Sequence, residues 1–302
     1  MWRSPQKMVI FACVLKHQII QTMDFSHTPV IDDQQIASRV ATILTQTAYQ
    51  PDLKSAYASI LGMIDLTTLE GADTDDKVHK LCMKAMSFHS RGMGLPDVAA
   101  VCVYPPLVAV ARKALAGSGI RVASVAGAFP AGQSPLYIKV AEVSYAVDQG
   151  AEEIDMVISR GKFLEGEYNL VHDEIAAVLE ACGEAHLKVI LETGELQTAT
   201  NIRRASEIAM EAGAHFIKTS TGKFPVAATP EAMLVMLDAI AAFHERTGRQ
   251  TGIKPAGGIA DPETALTYYR LTEATLGQKW MHKDYLRFGA SRLADTLADA
   301  LR

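Results

Sequence analysis

Two lysines and one aspartate occupy matching places in three short apolar runs. Lys218 closes His215-Phe216-Ile217-Lys218, Lys254 closes Gly252-Ile253-Lys254, and Asp155 sits in Glu153-Ile154-Asp155-Met156-Val157-Ile158. In an extended chain alternate side chains face opposite ways. With Ile217 and Ile253 turned toward a packed outer layer, Phe216, Lys218, Gly252 and Lys254 turn inward. A solitary lysine is ordinarily a solvated surface charge, but two interior lysines on neighbouring strands about 4.8 Å apart oppose each other's protonation. One of them is then a free amine near neutral pH, and the natural chemistry of a buried amine is attack on a carbonyl to form an imine. The same alternation turns Ile154, Met156 and Ile158 outward and Asp155 inward with Val157. An acid in that position is either a proton carrier or one half of a structural ion pair. In the run 187–192, Lys188, Ile190 and Glu192 face inward, and the two charged residues support the polar interior band.

A second group of residues offers a seat for an anion. Gly257-Gly258 follows Lys254 closely, and Gly289-Ala290-Ser291 stands where the last helical pattern begins. Glycines let an oxyanion approach backbone N–H groups, and a helix N-terminus adds a favourable dipole. A glycine pair most often does no more than make a turn; its position after a candidate interior lysine gives it weight. Thr219-Ser220-Thr221-Gly222-Lys223, directly after Lys218, adds hydroxyl donors and a flexible cation.

A repeat must position these groups. From residue 58 onward a β-branched apolar run, a Gly, Pro or Asp, and then an amphipathic stretch recur in that order. Strands are expected at 59–65, 98–104, 121–126, 153–158, 187–192, 215–220, 252–256 and 286–289. Helices are expected to begin near Asp73, Pro106, Leu136, Gly166, Thr198, Thr229 and Asp261, with a last one from Ser291 to Leu301. Thr229-Pro230-Glu231 and Asp261-Pro262-Glu263 each supply a capping side chain, a proline at the first helical position and an acid in the first turn. Eight strand–helix units within about 245 residues match a TIM (β/α)8 barrel; a doubly wound sheet has fewer strands and a reversal of their order. In such a barrel the active site lies at the C-terminal ends of the strands. The stretch 32–47, with Ile36, Val40, Ile43 and Leu44 on one face, is expected to be a leading helix over the N-terminal mouth of the barrel. Residues 1–31 then form an N-terminal extension of poor order and 32–302 a single domain, because no linker-like composition interrupts 58–302.

Composition narrows the function classes. The 302 residues are 49% hydrophobic and 21% charged, with a net charge of -5, so there is material for a packed core and no basic tract for a nucleic acid. Any anionic ligand is small and locally held. Cys13, Cys82, Cys102 and Cys182 lie far apart without zinc-ligand spacing, which leaves reduced thiols, no metal and a cytoplasmic protein as the expectation. The apolar run 8–15 is too short to span a membrane and is followed by Lys16-His17. Met23 opens a second plausible start, so residues 1–22 read as an extension or as an upstream start.

Seven segments, taken together, carry a resemblance. Asp65-Leu66-Thr67-Thr68-Leu69, Val101-Cys102-Val103-Tyr104-Pro105, Glu153-Ile154-Asp155, the segment from Leu187 to Leu196, that from Phe216 to Lys223, Lys254-Pro255-Ala256-Gly257-Gly258-Ile259 and Arg287-Phe288-Gly289-Ala290-Ser291 resemble, in order, those of the deoxyribose-phosphate aldolases of the long form, a family of class I aldolases. The resemblance implies that Lys218 forms a Schiff base, that Lys254 perturbs its pKa and that Asp155 moves protons through water. It further implies substrate contacts from Asp65, Thr67 and Cys102, with Lys188 in support, and phosphate contacts from Gly222, Lys223, Gly257, Gly258, Gly289 and Ser291. Two positions depart from the pattern: Ala260 and Arg292 stand where many relatives carry Arg and Ser or Thr. The implied reaction is reversible and needs neither metal nor cofactor: 2-deoxyribose 5-phosphate gives glyceraldehyde 3-phosphate and acetaldehyde. The implied assembly is a homodimer or another homo-oligomer. Two other readings compete, another Schiff-base sugar-phosphate aldolase or transaldolase, and a non-catalytic barrel that only binds a sugar phosphate.

Overall fold

A computed structural model describes residues 24–25, 28–48, 52–91 and 94–302. The expectation for residues 1–22 therefore lies outside the described residues. The described residues open with α1 (Asp33–Gln46) and α2 (Leu53–Leu61) and then alternate strand and helix. The strands are β1 (Ile64–Thr67), β2 (Ala100–Val103), β3 (Arg121–Ala126), β4 (Glu153–Val157), β5 (His186–Ile190), β6 (Phe216–Lys218), β7 (Gly252–Lys254) and β8 (Phe288–Ala290). They form one parallel sheet in the order β7-β6-β5-β4-β3-β2-β1-β8, and the bridges Ile253–Leu286 and Ala256–Gly289 close β7 onto β8. The result is the expected TIM barrel.

Connecting helices form the outer ring. They are α3 (Asp75–Ala85), α4 (Val108–Ala114), α5 (Leu136–Asp148), α6 (Arg160–Leu164), α7 (Tyr168–Cys182), α8 (Ala199–Glu211), α9 (Pro230–Thr247), α10 (Pro262–Leu276) and α11 (Leu293–Ala300). Their starts follow the chemistry of the sequence: the Thr229 and Asp261 side chains accept hydrogen bonds from the backbone N–H groups of Ala232 and Thr264, each with proline next in the chain. The outward strand residues Ile154, Met156, Val189, Ile217 and Ile253 are fully buried against this ring. Each such side chain contributes about 1.5–3 kcal/mol by leaving water.

Two expectations need correction. Residues 59–61 belong to α2 rather than to the first strand, because Asp52 caps that helix through the Ser55 N–H and Ala56, Tyr57, Ile60 and Leu61 form its buried face. Helix α1 does not cover the N-terminal mouth; it lies on the outer flank against α9 and α10, where Arg39 makes a forked ion pair with Asp238. An apolar face alone says that a helix packs, not where. The described part of the 1–31 segment touches the barrel: Phe25 and Thr28 are buried, and Thr28 donates a 2.6 Å hydrogen bond to Glu207.

Candidate active site

The sheet register brings the interior charges together. Lys218 on β6 pairs in register with Lys254 on β7, and Asp155 on β4 pairs with Lys188 on β5. Lys218 Nζ lies 2.8 Å from Asp155 Oδ2, and Lys254 Nζ lies 2.7 Å from the same oxygen. Lys188 Nζ donates to the other Asp155 oxygen at 3.0 Å and also bonds Glu153. On β1, Asp65 accepts from Lys254 at 2.5 Å and from Arg287 at 2.6 Å. Arg287 Nη2 reaches Glu153 at 2.8 Å. All seven side chains are almost wholly buried.

Ion pairing at this depth sets the protonation states. Desolvation pushes the Lys218 ammonium below its usual pKa, the adjacent Lys254 charge adds to that, and the pull of Asp155 does not reverse it. Burial also opposes the Lys254 charge, yet Asp155 and Asp65 together raise its pKa above the ordinary lysine value. Asp155 is opposed by burial but held well below the carboxylate range by Lys188, Lys218 and Lys254. The proton affinities of the two amines are thus shifted in opposite directions. The charges agree: Asp65, Glu153 and Asp155 are balanced by Lys188, Lys254 and Arg287, which leaves Lys218 as the group without a counter-charge to spare.

Above Lys218 opens a cavity of about 630 Å³ at the C-terminal end of the strands. Its walls include Thr67, Thr221, Gly222, Lys223, Gly257, Gly258, Gly289, Ser291 and Arg292. Gly257 and Gly258 have φ of +82° and +79°, a region that side chains disfavour. A Cβ on Gly257 would also come within 2.6 Å of the Ala227 Cβ. Backbone groups are thus exposed to the cavity where a phosphate could approach them. The β6 loop is pinned from below: Glu192, itself at φ +56°, accepts from the Thr221 N–H at 3.2 Å and from its hydroxyl, and is held by Arg160 at 3.3 Å. Lys223, on the same loop, pairs with Glu70 at 2.9 Å across the cavity mouth.

The expected residues thus divide into two layers. Lys218, Thr67, Gly222, Lys223, Gly257, Gly258, Gly289 and Ser291 line the cavity. Asp65, Cys102, Asp155, Lys188 and Lys254 are buried and are not among its lining residues. Burial raises the Cys102 thiol to about 11, so it stays neutral there. Glu192 lies beyond the end of β5 and holds the loop rather than joining the interior band. Sequence reasoning gave no role to Glu153 or Arg287, although each precedes a chosen residue, Asp155 or Gly289, by two positions and so shares its face. Among the described residues no cluster of His, Cys, Asp and Glu could hold a metal ion.

Comparison with known proteins gives a consistent picture. Residues 59–273 match the model of the DeoC/LacD family aldolases. The human deoxyribose-phosphate aldolase is 48% identical over 243 residues, 76% of each sequence. The bovine enzyme of the same name is 47% identical over 252 residues, covering 79% of this chain and 77% of its own. A solved structure from Coccidioides immitis superposes with a TM-score of 0.69 at 28% identity, over 89% of this chain and 98% of that one. A tetrameric deoxyribose phosphate aldolase from Aeropyrum pernix shares the fold, with a TM-score of 0.64 at 22% identity over 89% and 98% of the two chains.

Proposed function

The chain belongs to the DeoC/LacD family of aldolases, and from that membership we propose that it cleaves 2-deoxy-D-ribose 5-phosphate reversibly to D-glyceraldehyde 3-phosphate and acetaldehyde. The observation that carries the reading is the buried Lys218, in register with Lys254 and sharing an Asp155 oxygen with it, at the floor of a cavity whose upper wall is glycine turns and Lys223. The Lys218 amine adds to the C1 carbonyl of the open-chain sugar, and loss of water gives a protonated imine. Removal of the C3 hydroxyl proton lets the C2–C3 bond break with its electron pair drawn into the iminium. Glyceraldehyde 3-phosphate leaves, and Lys218 holds an enamine. Protonation of the enamine carbon and hydrolysis release acetaldehyde and restore the amine.

Asp155, as a carboxylate between Lys218 and Lys254, is suited to take the hydroxyl proton through water, and Lys254 supplies the charge that keeps Lys218 neutral. Thr67 faces the sugar, while Asp65, Cys102 and Lys188 support the reacting carbon from the buried layer. Gly222, Lys223, Gly257, Gly258, Gly289 and Ser291 receive the phosphate. Neither metal nor cofactor enters any step.

No described helix is long and apolar enough to cross a membrane, and a cytoplasmic location fits the reading. Assembly as a homodimer or another homo-oligomer is supported by Tyr137, Ile138 and Tyr145, exposed apolar side chains of α5, and light scattering of the purified protein tests it. The reaction itself is tested by following glyceraldehyde 3-phosphate release from deoxyribose 5-phosphate with a coupled dehydrogenase. Wild type should turn over and Lys218→Ala should not. Absence of turnover in the folded wild type would overturn the assignment.

A further inference from the structure

Beneath the reacting residues the barrel holds a second pair of charges that never reaches the cavity. Arg287, on the approach to β8, places Nη1 2.6 Å from Asp65 Oδ1 and Nη2 2.8 Å from Glu153 Oε1. Glu153, at the start of β4, also accepts from Lys188 and, at 3.0 Å, from Arg121. Both side chains are fully buried. An isolated charge at that depth is costly, so each must be matched by its neighbours. The matching runs in two lines to the two oxygens of one carboxylate: Glu153 to Lys188 to Asp155, and Arg287 to Asp65 to Lys254 to Asp155. Lys218 stands at the end of both lines.

We propose that Glu153 and Arg287 are an electrostatic positioning pair whose opposite charges, relayed through Lys188 on one side and through Asp65 and Lys254 on the other, tune the Asp155 carboxylate that faces the nucleophilic Lys218. This rests on the reading of Lys218 as the Schiff-base lysine. The groups that act on Lys218 directly are Asp155 on β4, Lys254 on β7 and Cys102 on β2; Lys188 on β5, Asp65 on β1, Glu153 at the start of β4 and Arg287 beside β8 reach it through these, and Glu192 holds the following loop. Removing the Glu153 charge frees Lys188 to bind Asp155 more fully, so Asp155 holds the Lys218 proton less. Removing the Arg287 charge leaves Asp65 under-neutralised; Asp65 then draws Lys254 from Asp155, and Lys218 gains proton affinity. The two changes act in opposite directions.

That opposition separates the proposal from a merely structural role. The measurement is the rate at which cyanoborohydride traps acetaldehyde on Lys218, followed from acid to neutral pH and located by peptide mass mapping. A unit charge about 10 Å away moves a titration by roughly one pH unit at the effective dielectric of a protein interior. Glu153→Gln should therefore shift the acidic limb of the trapping rate about one unit toward acid, and Arg287→Met about one unit toward alkali. Arg287→Lys, which keeps the charge, should leave the limb in place. Glu153→Gln/Arg287→Met, which removes both charges, should return it close to wild type. Should Arg287→Met fail to fold, Glu153→Gln, Arg287→Lys and the double variant still decide. Limbs that move the same way, or stay fixed in every variant, would overturn the proposal. A wild type that traps no aldehyde at Lys218 at any pH would instead overturn the reading beneath it.

Discussion

At the scale of single residues, two lysines of one chemical type have their proton affinities shifted in opposite directions. Neither desolvation nor charge pairing alone does this. Lys218 shares a single Asp155 oxygen with Lys254, whereas Lys254 also has Asp65. Two-residue alternation made the juxtaposition of the lysines legible, but by itself it did not say which of them has its proton affinity lowered. That outcome depends on the number of carboxylates each can reach, and Asp65 lies 189 positions from Lys254. Arg287 escaped notice for a related reason: a buried arginine is intelligible only once its acids are seen around it. Replacing Lys254 with Met removes the cation beside Lys218 and raises that amine's proton affinity. Turnover at pH 7 should fall about 10²–10⁴-fold, with the optimum moving toward alkali. An unchanged pH profile in a steady-state assay would separate Lys254 from this role.

At the scale of elements, strand ends and the turns that follow them do the placing. Periodicity and capping residues made most strands and helix starts readable, as at Thr229 and Asp261. The first strand was misplaced because 59–61 are apolar enough to suit either a strand or a helix face, and the Asp52 cap decides for helix. The glycines were readable as turns at the strand ends, whereas their closeness to a neighbouring loop was not. Gly257→Ala must accommodate φ of +82° and a Cβ only 2.6 Å from that of Ala227. The turn should shift away from the phosphate end, raising KM for deoxyribose 5-phosphate about tenfold through a weakened charge-assisted hydrogen bond. Activity on unphosphorylated 2-deoxyribose should change little. Equal losses on both substrates would contradict a phosphate role for this turn.

At the scale of the whole molecule, the barrel interior is an electrostatic unit as well as a scaffold. Glu153 is opposed by burial, yet Lys188 and Arg287 bring it down to about 2, and Asp65 and Asp155 also lie below their ordinary values. Their stabilising effect is complete above the unfolded carboxylate range and is lost as pH falls toward the folded values. His215, which burial and the stacked His186 lower to about 4, acts in the same direction, its share fading as pH drops from its ordinary 6.5. The urea midpoint should therefore decline from pH 7 to pH 3, and with little dependence on salt because these pairs are not exposed. A midpoint flat across that range would contradict the ion-paired interior. Trapping reads out whether Lys218 forms the imine. Borohydride added with acetaldehyde to active protein should leave one stable ethyl adduct, mapped by peptide mass spectrometry to Lys218 and absent from Lys218→Ala. An adduct on Lys254 or Lys188, or an unmodified Lys218 in protein that has lost activity, would contradict it.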